Sequence, residues 1–531
     1  MANVIVRKVF MPALFRRLGL ALMLAAATLG ATPVHAEWRK AETDRFIVYS
    51  EGPERELRDK VQMLHRFDRL VRAPFGLSDA PPARRLTILL VSGRGGMEAI
   101  YPNVPRNIGG WYSSTEQDIY AALDRRSDDK VLLHEYTHHV MRQNFPIAMP
   151  AWFSEGVAEF YMTARIDDRE TRVGFRDDGR VATLNALPWL PMDRLLTRRA
   201  LNSDPRQMAA FYAQSWLLTH YLVSDTGRRA RLEAYLKAVS EGVPPMEAVQ
   251  PAFGMSPEDL QSALRRYQNG SMPYATYPTP AADDVPMTIE TLPPSADELF
   301  PLSIRLNYAQ RGDDGPRMLA RVRAAQARWP TDRLANMTLA KAEVAWGTPE
   351  AAETALNAVL SGDPADTEAL RWLARLRQTA AGVAAQAGDV ETQAQRNGEA
   401  RAFLARAMNA DPDDYRIYLA LARTRRYSPG YPNANDLATW SLASQLAPQV
   451  GAVRWEAAEA FSRAGENETA IALLLPLASD PHGGPAAAQA RARLESLRPD
   501  GEAADEVAPP EEVPTGASAD SPDVAPDGDA G

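Results

Sequence analysis

Five prolines punctuate the C-terminal half at an interval that few folds tolerate. Pro330, Pro364, Pro412, Pro448 and Pro481 lie 34, 48, 36 and 33 residues apart. Proline lacks the N–H that a helix needs and clashes with the preceding turn, so each one marks an interruption. Between them the pattern reads as helix after helix, with proline closing every second one. Leu339, Ala342, Gly347, Ala351, Ala355 and Leu356 supply the small and apolar positions of one such pair before Asp363-Pro364. The 48-residue interval fits the same unit with an insertion of about 14 residues, placed near Thr379 to Gln393. Paired helices repeated in this way bury a core only by stacking on their neighbours, and they leave a concave surface free for a peptide or protein. The array is expected over 297–497.

Upstream, residues 271–296 hold Pro273, Pro278, Pro280, Pro286, Pro293 and Pro294 and read as a linker. It would join the array, as a separate stacked unit, to a domain over 37–270. In that domain Phe46–Tyr49 reads as a strand, and 54–72 as a helix with Leu57, Val61, Leu64 and Val71 on one face. Leu86–Val91 is a buried strand, and Gly109–Tyr112 and Asp118–Leu123 are two more. Ser127-Asp128-Asp129 offers a cap for a helix running to about Arg142, and a second helix starts near Trp152 after Pro146 and Pro150. Asp177-Asp178-Gly179 is expected to pivot a hairpin, and Ser92 to Gly96 to form a turn. Helices at 205–225, 227–241 and 256–268 close the domain. Strands and helices do not alternate strictly, so the fold class is α+β followed by an all-α solenoid.

The ends carry different signals. Arg7, Lys8, Arg16 and Arg17 precede an apolar run from Leu18 to Gly30, and Val34-His35-Ala36 offers a cleavage site. Residues 1–36 therefore read as a signal peptide, started at Met1 or Met11, and the mature chain as periplasmic or secreted. Thirteen apolar residues are too few for a membrane span, so no stable anchor is expected after cleavage. The net charge of −9 is concentrated in the tail, because Pro499 to Gly531 holds ten acidic residues and no Lys or Arg. That tail, 498–531, is expected to be disordered. No basic stripe is present, which argues against nucleic acid. With no cysteine, disulfides and thiol chemistry are excluded.

Chemistry concentrates at Leu133-His134-Glu135-Tyr136-Thr137-His138. Histidines four apart share one helix face, so both imidazoles can converge on one metal ion. Glu135, one position on, stands beside the metal as a base for a bound water. A zinc site of this kind needs a third protein ligand and leaves a fourth position open. Downstream, Glu155 and Glu159 are four apart and face the same way on the second helix.

His134-Glu-x-x-His138 followed by Trp152-x-x-Glu155-Gly156-x-Ala158-Glu159 resembles the gluzincin metallopeptidases, and most closely the peptidase-MA-like families of exported bacterial proteins. The resemblance covers roughly residues 40–268. It implies a zincin-like domain with one zinc ion per chain, Glu155 as third ligand, and Glu159 orienting the first zinc histidine. A tyrosine in the region of Phe211-Tyr212-Ala213 belongs to the same pattern, which makes Tyr212 the candidate oxyanion donor beside the catalytic base Glu135. Two departures matter. No Gly-Ala-Met-Glu-Asn segment is present, and Gly109–Tyr112 stands in its place as an edge strand able to pair with an extended substrate. The sixteen residues between His138 and Glu155 are slightly fewer than in the aminopeptidases of the group. Endopeptidase action is therefore expected over amino-terminal trimming. The helical half resembles tetratricopeptide repeats.

The expectation is thus an exported zinc metallopeptidase acting on a peptide or protein substrate, with a protein partner docked on the array. Its rivals are a non-catalytic periplasmic repeat scaffold carrying a zinc-binding peptidase-like module, and a zinc hydrolase acting on other bonds.

Overall fold

The computed structural model describes residues 37–497 except 106–107, 168, 198–203, 280–284 and 309–313, together with the backbone of 523–526. The expected signal peptide and most of the acidic tail lie outside the described residues.

Strands β1 (Arg39–Glu42) and β2 (Phe46–Ser50) open the fold, with Phe46, Val48 and Ser50 turned inward by the two-residue period of a strand. Helix α1 (Glu54–Arg72) buries Leu57, Val61, Leu64 and Val71, the face expected from its spacing. Then come β3 (Leu86–Val91), α2 (Gly93–Ile100), β4 (Ile108–Ser114) and β5 (Ile119–Asp124). The pairs β2–β3 and β3–β5 are parallel, while β1–β2 and β4–β5 are antiparallel, which is the mixed sheet of an α+β fold. Ser92 to Gly96 corrects the expectation of a turn, because it opens α2. Met97 and Ile100 bury there with Leu89, Val91 and Trp111, which offsets the weak helix propensity of the glycines.

Helices α3 (Asp129–Asn144) and α4 (Ala151–Tyr161) carry the histidine and glutamate motifs. The hairpin that follows is β6 (Arg165–Ile166) with β7 (Glu170–Val173), not a pivot at Asp177-Asp178-Gly179. Asp177 instead caps α5 (Asp178–Ala186), its carboxylate accepting from the Arg180 N–H at 2.9 Å. Asp before Gly suits a turn or a helix cap equally, and burial of Val181 and Leu184 selects the helix. Helices α6 (Met192–Thr197), α7 (Pro205–Val223), α8 (Thr226–Ser240), α9 (Pro245–Phe253) and α10 (Pro257–Gln268) complete this half.

The 271–296 segment is not a bare linker. Its β8 (Ala275–Pro278) pairs with β7, and its β9 (Thr288–Thr291) pairs with β1. Both are edge strands, and Pro278, the one proline within them, stands at an edge, where a missing N–H is tolerated.

Helices α11 (Ala296–Arg305) and α12 (Gly315–Gln326) lead into the array. Four helix pairs follow: α13 (Arg333–Trp346) with α14 (Pro349–Gly362), α15 (Thr367–Gln386) with α16 (Val390–Ala410), α17 (Tyr415–Arg425) with α18 (Ala434–Leu446), and α19 (Gly451–Arg463) with α20 (Asn467–Ser479). Helix α21 (Gly484–Leu497) ends the described array. Each of the five spaced prolines stands in a turn ahead of a new pair or the final helix, and Asp332, Asp366 and Asp414 cap the helices behind three of them. The extra residues expected near Thr379 to Gln393 are helical except for the short turn at 387–389. They lengthen α15 and α16 to 20 and 21 residues.

The array folds back onto the first half through these turns. The Tyr415 hydroxyl donates to Thr115 O at 2.7 Å, Ser114 Oγ to Gln449 O at 3.0 Å, and Arg454 Nη2 to Pro146 O at 3.3 Å. Asp414, buried, is met by Arg416 at 2.7 Å, Arg371 at 3.2 Å and Arg84 at 3.9 Å. The two halves also share one continuous apolar core, which runs from α1 and α3 into α17 to α21. A separate unit tethered only by a linker is therefore not what forms. Finally, β10 (Asp523–Pro526) pairs antiparallel with β4, so the expected edge of the sheet is taken by four residues of the tail, and the order is β10-β4-β5-β3-β2-β1-β9. Among the described residues no helix is long and apolar enough to cross a membrane.

Candidate metal centre

Helix α3 starts where Asp128 accepts from the Lys130 N–H at 3.1 Å, and every residue from Val131 to Met141 is buried. A helix buried on every face sits in the middle of a core, and α3 is packed on by β4, β5, α1 and α4. That placement carries His134 and His138 inward with no charged neighbour at 136 or 137. Helix α4 brings Glu155 to meet them because Gly156 lets it lie against α7. A Cβ at Gly156 would stand 2.5 Å from the Ser215 carbonyl oxygen, closer than atoms can approach. Gly156→Ala is expected to destabilise the fold by about 1–3 kcal/mol through this overpacking, read as a lowered denaturation midpoint. An unchanged midpoint would contradict the close approach.

The three candidate ligands converge. His134 Nε2 lies 3.1 Å from His138 Nε2, and Glu155 Oε2 lies 3.6 and 3.4 Å from the two. A tetrahedral ion bound at about 2.0–2.2 Å separates its ligand atoms by roughly 3.3–3.6 Å, so the triangle fits a metal with little movement. Glu155 Oε2 is buried and makes no hydrogen bond, meeting the two imidazoles only at ion-pair distance, an arrangement that suits a cation seated between them. His134, His138 and Glu155 are thus a group that can hold a metal ion.

The electrostatics agree. Burial alone pushes the Glu155 carboxyl up, but His138 and His482, with contacts from His134 and His138, hold it well below the usual carboxylate range. Burial pushes His134 down, yet contact with Glu155 and the charges of Glu159 and Glu135 carry it above its ordinary value. Burial dominates at His138 and lowers it. A carboxylate and one readily neutral imidazole are already in the form a metal binds.

The other expected residues surround this triangle. Glu135 is buried one position beyond His134, close enough for its charge to act on both His134 and Tyr212. Glu159 Oε1 lies 3.6 Å from His134 Nδ1, so it reaches the expected histidine at ion-pair rather than hydrogen-bond distance. Its oxygens are taken by Arg180, which donates from Nε at 2.6 Å and Nη2 at 2.8 Å. The Tyr212 ring lies 6.4 Å from that of His134, tilted by 60° to it and under the Arg180 guanidinium. Burial, with the charges of Glu155, Glu159 and Glu135, holds the Tyr212 hydroxyl well above its ordinary value, so it stays a donor.

Two residues here escape sequence reasoning. Arg180 comes from α5, where the sequence leads one to expect a hairpin. His482, from the turn between α20 and α21, places Nε2 2.9 Å from Glu155 Oε1. Its one signal is that the chain has only seven histidines and this one sits in a polar turn. His139 and His220 are core residues, at 3.1 Å from the Tyr112 hydroxyl and 2.8 Å from Gly174 O respectively. His65 lies outside the site, 3.4 Å from Asp44.

No family model matches the chain, and no curated protein does. Among solved structures, a thermophilic tetratricopeptide protein of Thermus thermophilus is similar at 18% identity, over 38% of this chain and 98% of its own, with a TM-score of 0.31. YrrB, a tetratricopeptide protein described as having an unusual peptide-binding site, is similar at 13% identity, over 37% of this chain and 92% of its own, with a TM-score of 0.24. The reading of the array rests on its own helix pairs.

Proposed function

We propose that this protein is an exported zinc-dependent peptidase that cleaves within protein or peptide chains, with the helical array engaging a protein partner or substrate. The observation that carries the reading is the convergence of His134, His138 and Glu155 around a buried carboxylate oxygen that makes no hydrogen bond, with Glu135 alongside. Two imidazoles and one carboxylate suit zinc, and three protein ligands leave a fourth position open. Zinc bound there supplies Lewis acidity, which polarises a carbonyl and lowers the pKa of water toward about 7. Glu135 takes the proton of the attacking water and passes it to the leaving amine nitrogen. Tyr212, kept protonated, donates to the negative charge that develops on the carbonyl oxygen. Arg180 fixes Glu159, whose charge keeps the Nδ1 side of His134 turned toward it. Export rests on the Arg7 to Ala36 segment alone.

A second reading, a metal-holding scaffold without catalysis, is favoured by one observation: His134, His138 and Glu155 are 3%, 2% and 0% exposed, beneath the turn that carries His482. Turnover separates the two. The purified chain is expected to cleave an unstructured polypeptide, to lose that activity when a chelator strips the metal, and to regain it with stoichiometric zinc. Cleavage that survives chelation removes the metal from the chemistry. A zinc-loaded chain that cleaves nothing favours the scaffold.

A further inference from the structure

We propose that His482, carried at the far end of the array, is a positioning residue of the metal centre: its Nε2–H holds the outer oxygen of Glu155 and turns the inner one toward His134 and His138. The inference rests on reading those three residues as ligands. It makes the array part of the centre rather than an arm that only recruits.

A carboxylate ligand has two equivalent oxygens and can rotate between them. A donor fixed on one oxygen chooses which of them faces the metal. At Glu155 that choice is visible, with Oε1 on His482 at 2.9 Å and Oε2 at 3.6 and 3.4 Å from His134 and His138. His482 lies outside the triangle, its ring 6.2 Å from that of His138, so three protein ligands are complete without it.

The turn is built to hold this histidine. In Asp480-Pro481-His482-Gly483-Gly484, the His482 N–H donates to Asp480 Oδ1 at 2.9 Å, and the Gly483 N–H to Asp480 O at 3.2 Å. Asp480 also meets Arg142 of α3 at 3.4 Å, so the turn is tied to the helix that bears His134 and His138. In the four earlier turns the residue after the spaced proline is Thr331, Ala365, Asp413 or Gln449. Only the fifth places an imidazole there, and it is the turn that lies over Glu155.

The test uses the full chain with His482→Ala, His482→Gln and His482→Leu, read by competition with a zinc chelator and by visible absorption of the cobalt-substituted protein. His482→Ala is expected to weaken zinc binding on the order of 10–100-fold and to shift the cobalt spectrum, as losing a ligand's supporting hydrogen bond does. His482→Gln keeps an N–H donor and should recover most of both, whereas His482→Leu, which fills the space without a donor, should not. Recovery by Gln and not by Leu is a result that a merely structural role would not give. Wild-type affinity and spectrum in both His482→Ala and His482→Leu would overturn the proposal. His138→Ala is the control for the underlying reading: if it too binds zinc like the wild type, the ligand assignment fails, and if it loses zinc while the His482 variants keep it, only the role of His482 fails.

Discussion

Glu135→Gln is expected to leave zinc content unchanged and to lower peptide turnover by about 10²–10⁴-fold, the usual contribution of a positioned general base. The amide is nearly the same size as the carboxylate, so the buried position keeps its shape. What it loses is the ability to take a proton. Glu135 is also one of the charges that raise His134 and Tyr212. Removing it should therefore lower both groups, which favours metal uptake at His134 and does not by itself slow chemistry. The signature is a fall in kcat with metal bound, measured by steady-state hydrolysis of an unstructured peptide on samples of known zinc content. Loss of zinc in Glu135→Gln would make Glu135 a ligand, and unchanged turnover would remove it as the base.

The second large effect separates the two glutamates of α4. Glu155→Ala is expected to abolish tight zinc binding, because it deletes the carboxylate oxygen that meets both imidazoles at 3.6 and 3.4 Å. It also removes the carboxylate oxygen that His482 Nε2 meets at 2.9 Å. Glu159→Ala removes only a charge 3.6 Å from His134 Nδ1 and the acceptor of Arg180, so zinc binding should weaken on the order of 10–100-fold rather than vanish. Chelator competition on both variants decides the matter. If Glu159→Ala strips the metal and Glu155→Ala does not, the ligand is one helical turn from where it is placed here.

Local pattern carried much of this site. The four-residue spacing of His134 and His138, the cap at Asp128 and the glutamates on the second helix are all properties of short segments, and each reappears in place. The strand at Leu86–Val91 and the helix over 54–72 were equally plain, because their apolar periods leave few alternatives. Local pattern is ambiguous where one residue type serves two local structures. Asp177 before Asp178-Gly179 looks like a turn and works as a helix cap, and Arg180 was lost with it. Local pattern is also silent where contacts are remote. His482 and Glu155 are separated by more than three hundred residues, and nothing in either segment announces the other. The proline-rich 271–296 segment misled for a third reason: proline forbids a central strand but not an edge strand, and both strands there are edges.

The most direct test of the central claim is the metal content of the purified full chain after exhaustive dialysis, measured by elemental analysis beside His138→Ala. Close to one zinc per wild-type chain, and almost none in the variant, is the predicted result. A wild-type chain without stoichiometric metal, or a variant that keeps it, would contradict the account.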